Sequence, residues 1–214
     1  LEINRNAARY FYDQLNAPTP EAAMARRYWR EKRGLSDAAI RRFGLGYAPE
    51  DFVGLLHYLR HRGFTEPELE SSGLVKRSAK GNLYDIFRHR VMVPIIDVRG
   101  NIIAFGGRVM DDSKPKYINS PETIVYHKSR TLFALNVAKK STSKRYILCE
   151  GYMDVISMHE AGFDTAVCAC GTALTPEQVK LLTEYADEVV LSYDSDEAGQ
   201  KATERSLALF SGTN

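Results

Sequence analysis

Four acidic residues in the last third of the chain have the spacing that cation chemistry needs. Glu150 directly follows the apolar run Tyr146-Ile147-Leu148-Cys149, and Asp194 and Asp196 end the segment that begins with the run Glu188 to Tyr193. Both runs read as β-strands, so these three carboxylates stand just past strand ends. Asp194 and Asp196 are two residues apart. If extended geometry continues beyond the strand, their side chains project to one side and both reach a single hard cation. Mg²⁺ takes few carboxylates, retains water and accepts phosphate oxygens, which suits phosphoryl transfer better than a closed structural site. Asp154, four residues after Glu150 at the start of a predicted helix, faces roughly the same direction. Each acid also has a structural reading: Glu150 and Asp154 as charges that favour a helix N-terminus, Asp-x-Asp as turn chemistry.

The basic residues concentrate elsewhere. Residues 1–128 hold 21 Lys and Arg against 15 Asp and Glu, and residues 129–214 hold 8 against 12. The formal net charge of +2 therefore hides an excess of +6 followed by −4. Such a division fits a polyanionic partner on one half and a cation site on the other, or two ordinary solvated surfaces. Tyr117 and Tyr126 are interleaved with the charges of the polar segment 111–130 and read as base-stacking rings or as local packing anchors. Gly106-Gly107 either lets the backbone approach a phosphate or marks a β-bulge. Tyr28, Trp29 and Phe43 fall at core spacing on predicted helices and read as packing.

Two kinds of architecture must hold these side chains, and the fold class is α/β. The first eighty residues are dominated by helix signals, with little strand content. Thr19-Pro20 opens a helix that stops at Gly34, Ser36 caps a second ending at Gly44, a third runs to Gly63, and Thr65 caps a last one ending near Gly73. Residues 87–110 form two β-rich runs about the turn 97–101, a hairpin in which Pro94 marks an edge or a bulge. The polar segment 111–130 reads as an ordered loop or surface crossing. The last seventy residues alternate strands (146–149, 165–170, 188–193) with helices (153–161, from Thr175-Pro176 through Tyr185, and on to about Phe210). This pattern implies a parallel sheet with right-handed crossovers. Ligands collect beyond the carboxyl ends of such strands, here Glu150, Gly171-Thr172 and Asp194-Ser195-Asp196.

Composition sets bounds. With 214 residues, 44% hydrophobic and 26% charged, the chain is neither disordered nor fibrous, and is long enough for one large or two small domains. No run approaches the ~18–20 apolar residues of a bilayer span, and the opening LEINRNAARYFYDQL lacks the layout of a signal peptide, so a soluble cytoplasmic protein is expected. Cys149, Cys168 and Cys170 make neither a disulfide framework nor a zinc site and are expected as reduced thiols buried in strands.

Taken together, ILCEGYMDVISM, GTALTPEQV and VVLSYDSDEAGQKA resemble the TOPRIM domain shared by bacterial primases, topoisomerases and certain nucleases and repair proteins. EGYMD with YDSDEAGQKA is similar, more narrowly, to bacterial DnaG-type primases. KRGLS (32–36), RRFGLGYAP (41–49), RVMVPI (90–95), FGGR (105–108), PKYINSPET (115–123) and HK (127–128) resemble the RNA polymerase core of those enzymes, so the likeness covers nearly the whole chain. It implies a basic, single-stranded-DNA-binding α+β subdomain over 1–140, then a Rossmann-like, parallel-sheet TOPRIM catalytic subdomain over 141–214 that is short at its C-terminal end.

The activity implied is that of a nucleotidyltransferase: metal-dependent synthesis of short RNA primers from ribonucleoside triphosphates on single-stranded DNA during chromosome replication. Glu150, Asp194 and Asp196 take the catalytic and metal-binding places, with Glu150 either ligand or general base and Asp154 a further acid near the metal. The metal implied is Mg²⁺, for which Mn²⁺ substitutes, with no zinc in this stretch. Arg33, Arg108, Lys116 and Lys128 match basic positions that guide the template. The other implied features are a monomer at the replication fork in the nucleoid, no membrane, and a replicative helicase reached through a C-terminal module outside these residues. The family's zinc-binding module, Asp-Pro-Asp type motif and helical subdomain also lie outside them, so weak metal binding and little or no priming are expected of this stretch alone. A TOPRIM nuclease or topoisomerase would use the same acids to cleave DNA, although no convincing tyrosine nucleophile context appears, and a non-catalytic DNA-binding module is the other reading.

Overall fold

The computed structural model describes residues 1–171 and 173–212, so Thr172 of the expected strand-end rim lies outside the described residues. By its packing the chain divides into two units, one of residues 1–95 and 101–126, the other of residues 96–100 and 127–214.

In the first unit the helices expected after Thr19, Ser36 and Thr65 begin at those capping residues. Helix α1 (Glu2–Leu15), which the sequence reading had only as a non-signal opening, buries Ala7, Tyr10, Phe11 and Leu15 along one face. Helix α2 (Pro20–Arg27) is capped by Thr19, whose side chain accepts from Ala22 N, and it runs into a π-helical turn over Tyr28–Lys32. Helix α3 (Asp37–Arg42) is capped by Ser36. Strand β1 (Gly46–Ala48), α4 (Gly54–His61) and α5 (Glu66–Ser71) follow, and Glu68 Oε2 accepts from Thr65 N at 2.8 Å to close the last of these. Two short strands, β2 (Val75–Arg77) and β3 (Leu83–Asp85), then pair antiparallel. None of these three short strands was legible in the sequence, because three residues are too few to show a two-residue period.

Strands β4 (Arg90–Ile96) and β5 (Ile102–Val109) are the expected hairpin runs, and β6 (Tyr117–Asn119) comes out of the segment read as a loop. The sheet order is β1-β4-β5-β6, with Gly46 opposite Met92 and Arg108 opposite Tyr117. Because β1 pairs only with Arg90–Met92, Pro94 lies where β4 has no β1 partner, which satisfies its missing N–H. Phe11, Phe87 and Phe105 meet edge to face, the closest pair at 5.3 Å between ring centroids, and anchor the core between α1 and the sheet.

In the second unit a 3₁₀ turn (Lys128–Arg130) leads to β7 (Leu132–Phe133) and α6 (Leu135–Ala138). The alternation read from the sequence follows: β8 (Arg145–Cys149), α7 (Tyr152–Glu160), β9 (Ala166–Ala169), α8 (Pro176–Thr183), β10 (Glu188–Ser192) and α9 (Glu197–Ser211). The sheet order is β10-β8-β9-β7. The first three strands are parallel, as expected, whereas β7 adds antiparallel through Leu132 opposite Ala169. Residues 127–140 thus pack with the second unit, although the sequence division fell at 140/141. Among the described residues no helix is long and apolar enough to cross a membrane. All three cysteines are buried and none is in a disulfide.

Asp85 is the buried acid of the first unit. At the end of β3 it accepts from Leu55 N at 2.8 Å and Leu56 N at 2.9 Å, closing the start of α4, where Val53 has no side-chain cap to offer. Burial pushes its carboxyl up to about 7 against the pull of those two donors. From about pH 4 to 7 the folded chain therefore holds a proton that the unfolded chain has lost, so stability falls as pH rises through this window. Denaturant unfolding of the native chain should lose about 1.4 kcal/mol per pH unit relative to Asp85→Asn between pH 4 and 7, and level off above. Parallel pH profiles for the two proteins would contradict the assignment.

Candidate active site and nucleic-acid interface

The acidic rim is built by strand register. Because β8 and β10 pair in parallel with Ser192 opposite Cys149, the chain leaves both strands at one level, and residues 44 apart in sequence meet. Glu150 Oε2 accepts from Asp194 N at 3.1 Å. Both side chains are exposed, and the Asp194 carboxylate makes no hydrogen bond or ion pair among the described residues. Beneath Glu150, burial pushes the Cys149 thiol up to about 12, and that of Cys168 rises too, so neither is a nucleophile.

Asp196 does not continue the strand. Extended geometry ends with β10 at Ser192, and Asp196 becomes the N-cap of α9, its Oδ1 accepting from Gly199 N at 2.8 Å. The two aspartates are therefore not a same-side strand pair as the spacing suggested. Asp154 folds back on its own helix, with Oδ2 accepting from Gly151 N at 3.0 Å, which is the structural reading of that residue. Among the described residues no three of His, Cys, Asp or Glu are gathered for a metal ion. The donor chemistry nevertheless suits a hard divalent cation, because the rim presents only exposed carboxylate oxygens, and the second oxygens of Glu150 and Asp196 accept no hydrogen bond.

Gly199 sets how closely α9 approaches this rim. A Cβ there would lie 1.9 Å from the Asp194 carbonyl oxygen, so only glycine lets the first turn of α9 rest on the Asp194 backbone. Beside Glu150 lies a cavity of about 430 Å³, walled mainly by Tyr193, Leu174, Ala202 and Leu209 with Arg205 at its polar side.

The basic residues fall in both units. In the first, Arg108 is buried, with Nε donating to Tyr117 Oη at 3.1 Å and Nη1 to Tyr28 Oη at 2.5 Å and to Val109 O. Arg33 Nε donates to the same Tyr28 hydroxyl at 2.9 Å, so the structure brings Arg33 and Arg108 together. Lys116 is exposed on the adjoining loop. That loop is gripped by Arg90, whose buried guanidinium donates to the carbonyls of Gly107, Pro115 and Lys116. Gly107 makes room for this grip, since a Cβ there would meet Phe87, Arg90 and Met92 at 2.9–3.2 Å; neither a bulge nor a phosphate contact is needed to explain it.

Lys128 belongs to the second unit. Its carbonyl accepts from Nε2 of the buried Gln178, which also donates to Thr131 O, while Thr175 Oγ1 donates to Ser129 O. The GTALTPEQV segment thus holds the backbone that carries Lys128. Tyr126 is fully buried, a packing anchor, and Tyr117 is 40% exposed. Sequence reading missed Arg90, Gln178, Gly199 and the hydroxyl of Tyr28. Gly199 alone left a signal, a glycine inside a helical pattern.

The second unit is thus a largely parallel-stranded sheet with exposed carboxylates past its strand ends, and the first is an α+β unit with an excess of basic residues. Comparison with known families agrees: a Toprim-like model matches residues 147–214, and the model for the DNA primase catalytic core, N-terminal domain, matches residues 10–139. The chain belongs to the bacterial DnaG-type DNA primase family.

It is 48% identical over 209 residues to a DNA primase of Clostridium acetobutylicum, covering 97% of this chain and 34% of that protein. With a DNA primase of Deinococcus radiodurans the identity is 46%, over 94% and 35%. Among solved structures, the DnaG primase catalytic domain bound to single-stranded DNA superposes with a TM-score of 0.87 at 38% identity, covering 96% of this chain and 66% of that one. The E. coli primase catalytic core gives 0.88 at 37%, with the same coverage. The chain spans about a third of the length of the curated relatives it matches.

Gly199→Ala should destabilise the second unit by about 1–3 kcal/mol through the forced shift at Asp194. Alanine is the better helix former by up to about 1 kcal/mol, so helix propensity alone predicts the opposite sign. A thermal midpoint at or above that of the unmodified chain would show that α9 does not rest on Asp194.

Proposed function

We propose that this chain is the catalytic core of a DNA primase, joining ribonucleoside triphosphates into short RNA on single-stranded DNA, with residues 1–140 serving the template and residues 141–214 the chemistry. The observation that carries the reading is the meeting of Glu150 with Asp194 at the ends of two parallel strands, in a chain of the primase family. Divalent metal, Mg²⁺ or Mn²⁺, supplies a lowered pKa for the attacking 3′-hydroxyl and charge neutralisation for the departing pyrophosphate.

The chain's own residues do the rest. Asp194, with both carboxylate oxygens unengaged, is the strongest ligand for such a metal, and Asp196 Oδ2 is a second. Glu150 Oε1 serves as ligand or as acceptor of the hydroxyl proton, while its Oε2 is held by the Asp194 amide. Asp154 is kept to helix capping and to adding negative charge near the rim. Arg33, Arg108, Lys116 and Lys128 neutralise phosphates without reading bases, as copying of varied templates requires. A replicative helicase as partner and a place at the replication fork follow from the same family reading.

The decisive experiment is RNA synthesis from labelled ribonucleotides on single-stranded DNA with Mg²⁺ or Mn²⁺, run on the 214-residue chain and on one extended past Asn214. Loss of residues that only support metal ligands already lowers activity about 10–100-fold, so Asp194→Asn and Glu150→Gln should each lower synthesis by more than about a hundredfold. Activity that survives both substitutions, or DNA cleavage in place of synthesis, would overturn the reading.

A further inference from the structure

The π-helical turn over Tyr28–Lys32 gives the basic cluster a geometry that an α-helix would not. Arg33 N donates to Tyr28 O at 3.0 Å, five residues back, and the extra residue brings Arg33 over the Tyr28 ring, with its guanidinium carbon 5.3 Å from the centroid. Lys32 Nζ lies 5.6 Å and the Arg108 guanidinium carbon 5.5 Å from the same centroid. Tyr28 itself is 5% exposed, and its hydroxyl accepts from both Arg33 Nε and Arg108 Nη1. Those two donor nitrogens are therefore no farther apart than two hydrogen bonds laid end to end.

Three cations converge on one neutral side chain, and none of them pairs with a carboxylate among the described residues. Cations held this close repel one another, and the ring face and phenol oxygen offset only part of that repulsion. Among the described residues, both terminal nitrogens of Arg33 and Nη2 of Arg108 have no hydrogen-bond acceptor. Planar guanidinium forks match phosphate oxygens, and here two of them are pre-oriented by one shared acceptor.

We propose that Tyr28 is the positioning residue of a single phosphate site, its hydroxyl holding Arg33 and Arg108 in register so that both guanidiniums grip one phosphate oxyanion. The inference rests on the reading that Arg33 and Arg108 meet nucleic acid, and adds that they act as a unit through Tyr28. The phosphate has two sources, the backbone of single-stranded DNA and the triphosphate of a nucleotide.

Tyr28→Phe keeps the ring and removes only the shared acceptor. Binding of a fluorescent single-stranded oligodeoxynucleotide to the whole chain should weaken about three- to tenfold. The slope of log K against log salt should become shallower by about 0.7, the share of one phosphate contact on a single strand. Added to Arg108→Ala, Tyr28→Phe should cause no further loss, as expected of groups that work together. Arg33→Lys, which keeps the charge and loses the Nε contact, should reproduce the shallower slope, and it serves as the test if Tyr28→Phe lowers the thermal midpoint. A merely structural Tyr28 would shift that midpoint and leave the slope alone.

Equilibrium dialysis with ATP forms the second arm, and weakening of ATP binding with DNA binding intact would assign the site to the nucleotide's phosphates. Lys116→Ala separates the two levels of inference. If Lys116→Ala weakens DNA binding while Tyr28→Phe and Arg33→Lys change neither ligand, the Tyr28 proposal is overturned and the DNA reading stands. If none of the three changes DNA binding, the DNA reading falls.

Discussion

Parallel pairing of β8 with β10, residue against residue up to Cys149 and Ser192, is the constraint on which the acidic site depends. Neighbouring parallel strands that end at one level must turn away at one level, and side chains just past the turns then share a rim. A shift of one residue would face β8 and β10 the wrong way and move Glu150 off the amide of Asp194. The helical crossovers α7 and α8 serve this register, with Val155, Ile156, Val179 and Leu182 buried. The same C-terminal ends leave Glu150, Asp194 and Asp196 exposed, where carboxylates keep their hydration at no desolvation cost.

In the first unit several arginines rest on neutral acceptors rather than on carboxylates. Arg108 and Arg33 lean on phenol oxygens and rings, and Arg90 on main-chain carbonyls. A carboxylate partner would hold each guanidinium more strongly but would remove the positive field that attracts a polyanion. Carboxylate pairing is instead confined to other arginines, such as Arg77 with Glu66 and Glu70, where it braces α5 against β2. The division of net charge along the chain thus has a structural counterpart in which arginines pair with carboxylates and which rest on neutral groups.

At two glycines a Cβ would collide with neighbouring atoms. Gly199 against the Asp194 carbonyl and Gly107 against the side chains of β4 each set a distance that decides where a functional group stands. Gln178 does comparable work by hydrogen bonds, tying the segment of Lys128 to the start of α8. Each fixes the frame from which a candidate site residue projects, and Gly199 also donates its N–H to Asp196 Oδ1.

Whatever rests on neighbours in sequence was legible before folding was considered. Thr19, Ser36, Thr65 and Thr175 mark their helices because a cap acts within three residues, and the β8-α7-β9-α8-β10-α9 alternation shows in hydrophobic period and turn residues. Glu150, Asp194 and Asp196 were identifiable from their places after strands, and the family from the words around them. What escaped depends on residues far apart in the chain. The antiparallel β7, the short strands, the burial of Arg108 on a tyrosine eighty residues away and the turning of Asp196 into a helix cap are each decided by which surfaces meet. Sequence determined the inventory of charges and the order of elements; tertiary structure decided which charges stay exposed and which are spent on the fold, because hydrogen bonds and burial at long range outweigh local preference.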